Sequence, residues 1–227
     1  MNAKTTITAP GSANSPRRVL ATRNTSGAKL LARGMANAGI RPNAVSIASV
    51  GFASAAAVAF CAVPASSGGS RAALLIAAAA SIQLRLLCNM LDGMLAVEEG
   101  LKSKAGEVYN DAPDRLADVL ILVGAGYSVR DLQCGVALGW AAAVLAVFTA
   151  YVRVLAGSLG LTQHFIGPMA KQHRMFTLTV AALASAAEIL AGMRPQAMRL
   201  FLVLIVVGTA LTAARRTQRL LREAEAR

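Results

Sequence analysis

Apolar runs, separated by short charged or Gly/Pro/Ser-rich breaks, set the rhythm of this sequence. They fall at roughly 43–64, 71–96, 112–129, 134–157 and 174–192, and a last one follows Arg194–Pro195 and runs to about Ala213. A helix rising about 1.5 Å per residue needs about 20 residues to cross a hydrocarbon layer of about 30 Å. With no water there to satisfy backbone groups, such runs must be helical. The pattern predicts six transmembrane helices. Residues 1–26 are rich in Ser, Thr, Asn and Arg and poor in large apolar residues, which predicts a disordered tail without a cleavable signal. From Ser26, a plausible N-cap, a short amphipathic stretch with Lys29, Leu30, Leu31, Arg33 and Met35 ends near Gly39. It is too short to span and suits a helix lying in the interface. Pro42 restarts the chain, and the Arg-rich residues 215–227 extend the last helix out of the membrane.

The expected fold class is therefore all-α: a polytopic integral membrane protein with six transmembrane helices and an N-terminal interfacial amphipathic helix. Its parts are a basic tail (1–26), one membrane domain (27–214) and a basic helical tail (215–227). Composition agrees, since 56% of residues are hydrophobic, 15% are charged and mean hydropathy is +0.54. Soluble surfaces need more charge than that. The net charge of +12 raises the question of nucleic acid, but its placement answers against it. Seven basic and no acidic residues lie in 1–41, and five basic residues lie in 215–227. Such flanks face anionic lipid head groups.

Six spans put both termini on one side, together with 97–115 and 153–174. That side holds eighteen Lys/Arg, against four (Arg71, Arg130, Arg194, Arg199) on the other. It is the cytoplasmic side of an inner or plasma membrane. Cys61, Cys88 and Cys134 show no disulfide or metal-ligand spacing and are expected as small buried hydrophobes. No inverted repeat of the transporter kind is visible.

The acids are the informative residues. None of the eleven precedes Asp92, and seven fall between 92 and 118. Ionisable groups near hydrocarbon are expensive and usually functional. Asn89, Asp92 and Ala96 share one helical face, and Asn110 and Asp114 lie one turn apart on the next helix. Gly93 and Gly106 leave room for close approach. Oxygen donors on two such helices suit a hard cation, Mg²⁺ or Mn²⁺ among them, while the bland alternative is a set of solvated charges balancing Lys102, Lys104 and Arg115.

Asn89 to Asp114 reads N-x2-D-G-x2-A-V-x8-G-x3-N-x3-D. This resembles the CDP-alcohol phosphotransferase signature D-x2-D-G-x2-A-R-x8-G-x3-D-x3-D, with every spacing intact. The segment Gly39-Ile40-Arg41-Pro42-Asn43, Tyr151-Val152-Arg153 and Lys171/Arg174 also resemble that family, as does the six-span layout. Three positions depart from it: Asn89, Val97 and Asn110 stand where the family has Asp, Arg and Asp.

The resemblance implies transfer of a phosphatidyl-type group from a CDP-diacylglycerol-type lipid to an alcohol acceptor, with release of CMP. It implies Mg²⁺ or Mn²⁺ at Asn89, Asp92, Asn110 and Asp114, with Asp114 as general base. Nucleotide would lie against Asn89, Gly93, Ala96 and Gly106. Arg153, Lys171 and Arg174 would clamp a substrate phosphate or, failing that, anchor the chain to the membrane. The family also implies a homodimer.

With two motif carboxylates lost, the expectation is one tightly held cation, a second arriving only with the CDP diphosphate. A non-catalytic relative that keeps the nucleotide or lipid pocket is the alternative. Arg85, inside the second span, is expected to reach Asp114 or Asp118. Glu188, in the fifth span, has no evident partner.

Overall fold

The computed structural model describes residues 26–97 and 106–226 of the 227-residue chain, apart from the side chains of Glu107 and Asn110. The expected N-terminal tail, save Ser26, and Lys102 and Lys104 lie outside these residues. The helices are α1 (Ser26–Asn37), α2 (Pro42–Ala62), α3 (Gly68–Val97), α4 (Gly106–Ser128), α5 (Gly135–Ser158), α6 (Lys171–Leu190) and α7 (Ala197–Glu225). A 3-10 turn, Val63–Ala65, follows α2. No strand occurs among the described residues.

Each apolar run has become a helix, because a backbone surrounded by apolar side chains has only its own carbonyls to bond. By length and composition, four helical segments can cross a membrane: Pro42–Ala65, Gly68–Val97, Gly135–Ser158 and Ala197–Glu225. The other two are the ones that carry the charge. Helix α4 opens with Glu107, Asp111, Asp114, Arg115 and Asp118, and α6 with Lys171 and Arg174. Helix α4 also begins at Gly106, earlier than the apolar run suggests, and continues through Pro113. Proline there withholds one donor from Tyr109, a modest local loss. The early start puts Gly106, Asn110 and Asp114 on one helix.

Helices α2 to α7 form a ring. Helix α2 packs on α3 and α4, α4 on α5, α5 on α7, α7 on α6, and α6 on α3. The interior is built of small and medium residues: Ala53, Ala56, Ala78, Ala117, Ala146 and Ala182 are buried beside Phe60, Ile82, Ile121, Leu178 and Leu202. With no hydrophobic drive between helices in lipid, small side chains earn close packing and its dispersion energy.

Helices α4 and α5 approach closely. A Cβ on Gly139 would fall 2.7 Å from the Gly126 Cα, and one on Gly126 would fall 2.8 Å from the Gly139 Cα. No rotamer relieves a clash with backbone. Gly139→Val should therefore lower the unfolding temperature in detergent by several degrees, as overpacking typically costs about 1–3 kcal/mol. Unchanged thermal unfolding would contradict this packing.

Helix α1 lies across one end. Ala32 is buried, and Ala28, Met35 and Ala36 pack with Val45, Leu91, Met94 and Leu95. Leu30 and Leu31 remain exposed. One expectation needs correction. Cys61 and Cys134 are exposed and Cys88 is half-buried, because they point away from the ring interior. The basic end is also tied into the domain: Arg216 is buried, and Leu220 packs on Val152 and Ala156. Glu188 finds its partner in the backbone, where its Oε2 accepts from the N–H groups of Gln196 (2.9 Å) and Ala197 (3.1 Å). A carboxylate there satisfies free donors and meets the positive end of the α7 dipole.

Candidate active site

Although α3 and α4 are consecutive, they pack little along their length, since α2 lies against both. Arg85 and Asn89 of α3 reach across to Asp114 and Asp118 of α4. Arg85, fully buried, donates through Nη2 to Asp118 Oδ1 at 2.9 Å and to Asp114 Oδ1 at 3.3 Å. It therefore meets both of its expected partners. One turn along α3, the Asn89 amide Nδ2 donates to Asp114 Oδ1.

The first turn of α6 completes the cluster from the opposite wall of the ring. The Lys171 ammonium bonds Asp114 Oδ2. Arg174, also buried, donates to Asp118 Oδ2 at 3.2 Å and to the Met169 carbonyl at 3.0 Å. From α5, Arg153 donates to Asp111 Oδ1 at 2.8 Å, and Arg115 reaches the same oxygen at 3.2 Å. Arg153 also lies over the Phe165 ring, 5.6 Å from its centroid.

Asp92 stands apart from these pairs. It is 4% exposed, and its Oδ2 accepts from the Ser46 hydroxyl of α2 at 2.6 Å. Its Oδ1 is buried with no hydrogen-bond partner. It is near enough to Asp114 to be repelled by it and to Lys171 to be attracted. A carboxylate oxygen held dry and unpaired is costly unless a cation or donor completes it.

Among the described side chains, the charge balance here is positive, with four aspartates (92, 111, 114, 118) against five cations (Arg85, Arg115, Arg153, Lys171, Arg174). Buried donors are in excess too, since Arg85 Nε and Nη1 and Arg174 Nε have no partner. Further along, Arg216 of α7 donates to the carbonyls of Ile166 (3.0 Å) and Thr149 (3.1 Å). A pocket with spare guanidinium donors is suited to phosphate.

The residues expected to form the site are thus mostly brought together. Asn89, Asp92, Asp114, Lys171 and Arg174 share one end of the ring, and Arg153 borders it through Asp111. Gly93, Ala96 and Gly106 are half-buried near the same end, with Val97 exposed. The Asn110 and Glu107 side chains lie outside the described residues. Three contributors escaped the sequence reading: Ser46, Asp118 as the bridge between two arginines, and Arg216. Ser46 follows the Arg41-Pro42-Asn43 segment by one helical turn, a weak signal. Arg216 was masked by a tail of similar arginines.

Among the described residues, no three His, Cys, Asp or Glu side chains converge as a metal-binding group. The oxygen-bearing residues at this end of the ring are Asp92, whose buried Oδ1 has no partner, Asn89 and Asp114. Their donor types suit a hard divalent cation completed by solvent or ligand oxygens. With Asp114 engaged by Lys171, Arg85 and Asn89, the described side chains leave few free oxygens for two.

No protein-family model matches the sequence, and no curated protein sequence matches it. The fold does have solved counterparts. It is similar to the Mycobacterium tuberculosis phosphatidylinositol phosphate synthase PgsA1 in complex with manganese and citrate, with a TM-score of 0.73 and 22% identity over 86% of this chain and 88% of that one. The same enzyme with CDP-DAG bound superposes with a TM-score of 0.71 and 22% identity, over 85% of this chain and 92% of that one. Its apo form gives 0.69 at 22% identity, over 83% and 93%. At that identity the likeness speaks for architecture: the chain has the fold of phosphatidylinositol phosphate synthase.

Proposed function

We propose that this chain is a multi-pass membrane transferase that moves a phosphatidyl-type group from a CDP-activated lipid to an alcohol and releases CMP. The observation that supports this reading is the Asn89–Asp114 contact at one end of the ring, with Asp92 one turn further along α3. These residues belong to a motif with every spacing of the CDP-alcohol phosphotransferase signature, on a fold like that of a structure with CDP-DAG bound. Positive-inside asymmetry supports a cytoplasmic site, with residues 1–41 and 215–227 on the same side. A homodimer is part of the proposal by likeness to the family.

In the reaction, the alcohol oxygen forms a bond to the lipid-side phosphorus. The bond from that phosphorus to the bridging oxygen breaks, and CMP leaves with the electron pair. Asp114 takes the hydroxyl proton, so it must hold its carboxylate toward the acceptor and stay ionised. Arg85 and Asn89 orient its Oδ1, and Arg85 in turn is steadied by Asp118. Gly93 and Ala96 leave space for the nucleotide along α3. Arg153, Lys171 and Arg174 supply positive charge for phosphate oxygens. A single Mg²⁺ or Mn²⁺ held by Asp92, Asn89 and Asp114 would neutralise the diphosphate and stabilise the departing CMP.

A second reading, a non-catalytic relative that keeps the pocket, is favoured by Asn89, Val97 and Asn110 and by the ion pair that engages Asp114. The retention of Asp92, Gly93, Gly106 and Asp114 at full spacing favours the transferase. Purified chain with CDP-diacylglycerol, Mn²⁺ and a panel of alcohols and alcohol phosphates should release CMP with one or more acceptors. No CMP with any of them, while CDP-diacylglycerol still binds, would establish the pocket-only reading.

A further inference from the structure

Resting on the transferase reading, we propose that the Lys171 ammonium fills the electrostatic role of a second divalent cation, so that the site works with one metal ion and one lysine. A fixed cation on the protein then replaces an exchangeable one, and none joins with the nucleotide.

Three observations lead there. The Lys171 ammonium bonds Asp114 Oδ2, and its charge is also felt at Asp92 and Asp118. It is paired with one carboxylate and acts at longer range on two more. Among the described side chains, few carboxylate oxygens are left for a second divalent ion. Asp111 and Asp118 are taken up by arginines, which leaves Asp92, with its unpaired Oδ1, as the anionic donor not engaged by a cation there. Finally, the described side chains of this neighbourhood are already more cationic than anionic. Another free dication would enter against repulsion from Arg85 and Arg115, which is strong in a site this poorly solvated.

Asn89 fits the same arrangement. Asparagine there keeps an oxygen and lets Nδ2 donate to Asp114, a bond that an ionised aspartate could not make. The pairing of Lys171 with Asp114 is also compatible with turnover. The incoming diphosphate offers the ammonium new oxygen partners, and its shift toward them frees Asp114 Oδ2 to accept the acceptor's proton.

The test counts metal ions rather than turnover. Electron paramagnetic resonance of unbound Mn²⁺ gives the number bound per chain for the full-length protein in nanodiscs, with and without CDP-diacylglycerol. Wild type should take up one Mn²⁺ in both conditions. Lys171→Met, with Asp114 released, should take up two when CDP-diacylglycerol is present, and Lys171→Arg should remain at one. Lys171→Gln serves the same purpose if the methionine variant does not fold.

Two Mn²⁺ on wild type with the CDP-lipid would overturn the proposal, as would one on both neutral variants or none on wild type. CMP release is scored separately. If no acceptor yields CMP but the Mn²⁺ counts follow the pattern above, the transferase reading fails and the role of Lys171 stands.

Discussion

Asp114→Asn should abolish CMP release, with a loss of at least 100-fold in kcat at saturating CDP-diacylglycerol. The substitution keeps the shape of the side chain and one oxygen for Arg85, so the helices should stay where they are. What it removes is the base that accepts the acceptor's proton, a contribution typically of about 10²–10⁴. It also leaves Lys171 without its carboxylate, which raises the positive charge where a cation must bind. Asp92→Asn should reduce turnover too, but by a different route. Its buried Oδ1 is the unpaired anionic donor, so the loss should appear first as a higher Mn²⁺ requirement. Turnover by Asp114→Asn within tenfold of wild type would show that Asp114 is not the base. An Asp92→Asn enzyme with unchanged Mn²⁺ dependence would remove Asp92 from the metal site.

The largest effect on stability should come from Asp118→Ala. Asp118 is 1% exposed and receives Arg85 on one oxygen and Arg174 on the other, joining α3, α4 and α6 across the ring interior. Breaking a buried pair costs about 3–5 kcal/mol, because the partner is left charged and dry. Here two guanidiniums lose their carboxylate at once, and both already carry buried donors without partners. Arg85 keeps Asp114, whereas Arg174 keeps only the Met169 carbonyl among the bonds described. For a chain of this size, that cost corresponds to a fall in unfolding temperature of roughly 6–20 °C. Asp118→Asn should fall less, since its amide oxygen still accepts one of the two bonds. Equal stability of wild type and Asp118→Ala in a thermal scan would mean that the bridge contributes nothing net. CMP release by Asp118→Ala measured well below its unfolding temperature separates this structural role from catalysis.

Local features of this protein were legible before any fold was known. An apolar run has one way to satisfy its backbone, so the ring helices fell on the apolar runs, four of them long and apolar enough to cross a membrane, while α4 starts earlier, at Gly106. The side-chain period of a helix is likewise local, so Asn89, Asp92 and Ala96 shared a face from their spacing alone. Pairing between segments was not legible. Asp114 could have met Lys102, Lys104 or Arg115 nearby; it meets Lys171, 57 residues on, because α6 closes the ring beside α3. Ser46 reaches Asp92 across 46 residues for the same kind of reason. Arg216 looked like a tail charge until α7 carried it back over the carbonyls of Thr149 and Ile166. Charges attract over many residues alike, so the sequence names the candidates for each ion pair. Which acid meets which base depends on where packed helices set down their ends, and that was decided by the Ala- and Gly-lined contacts of the ring.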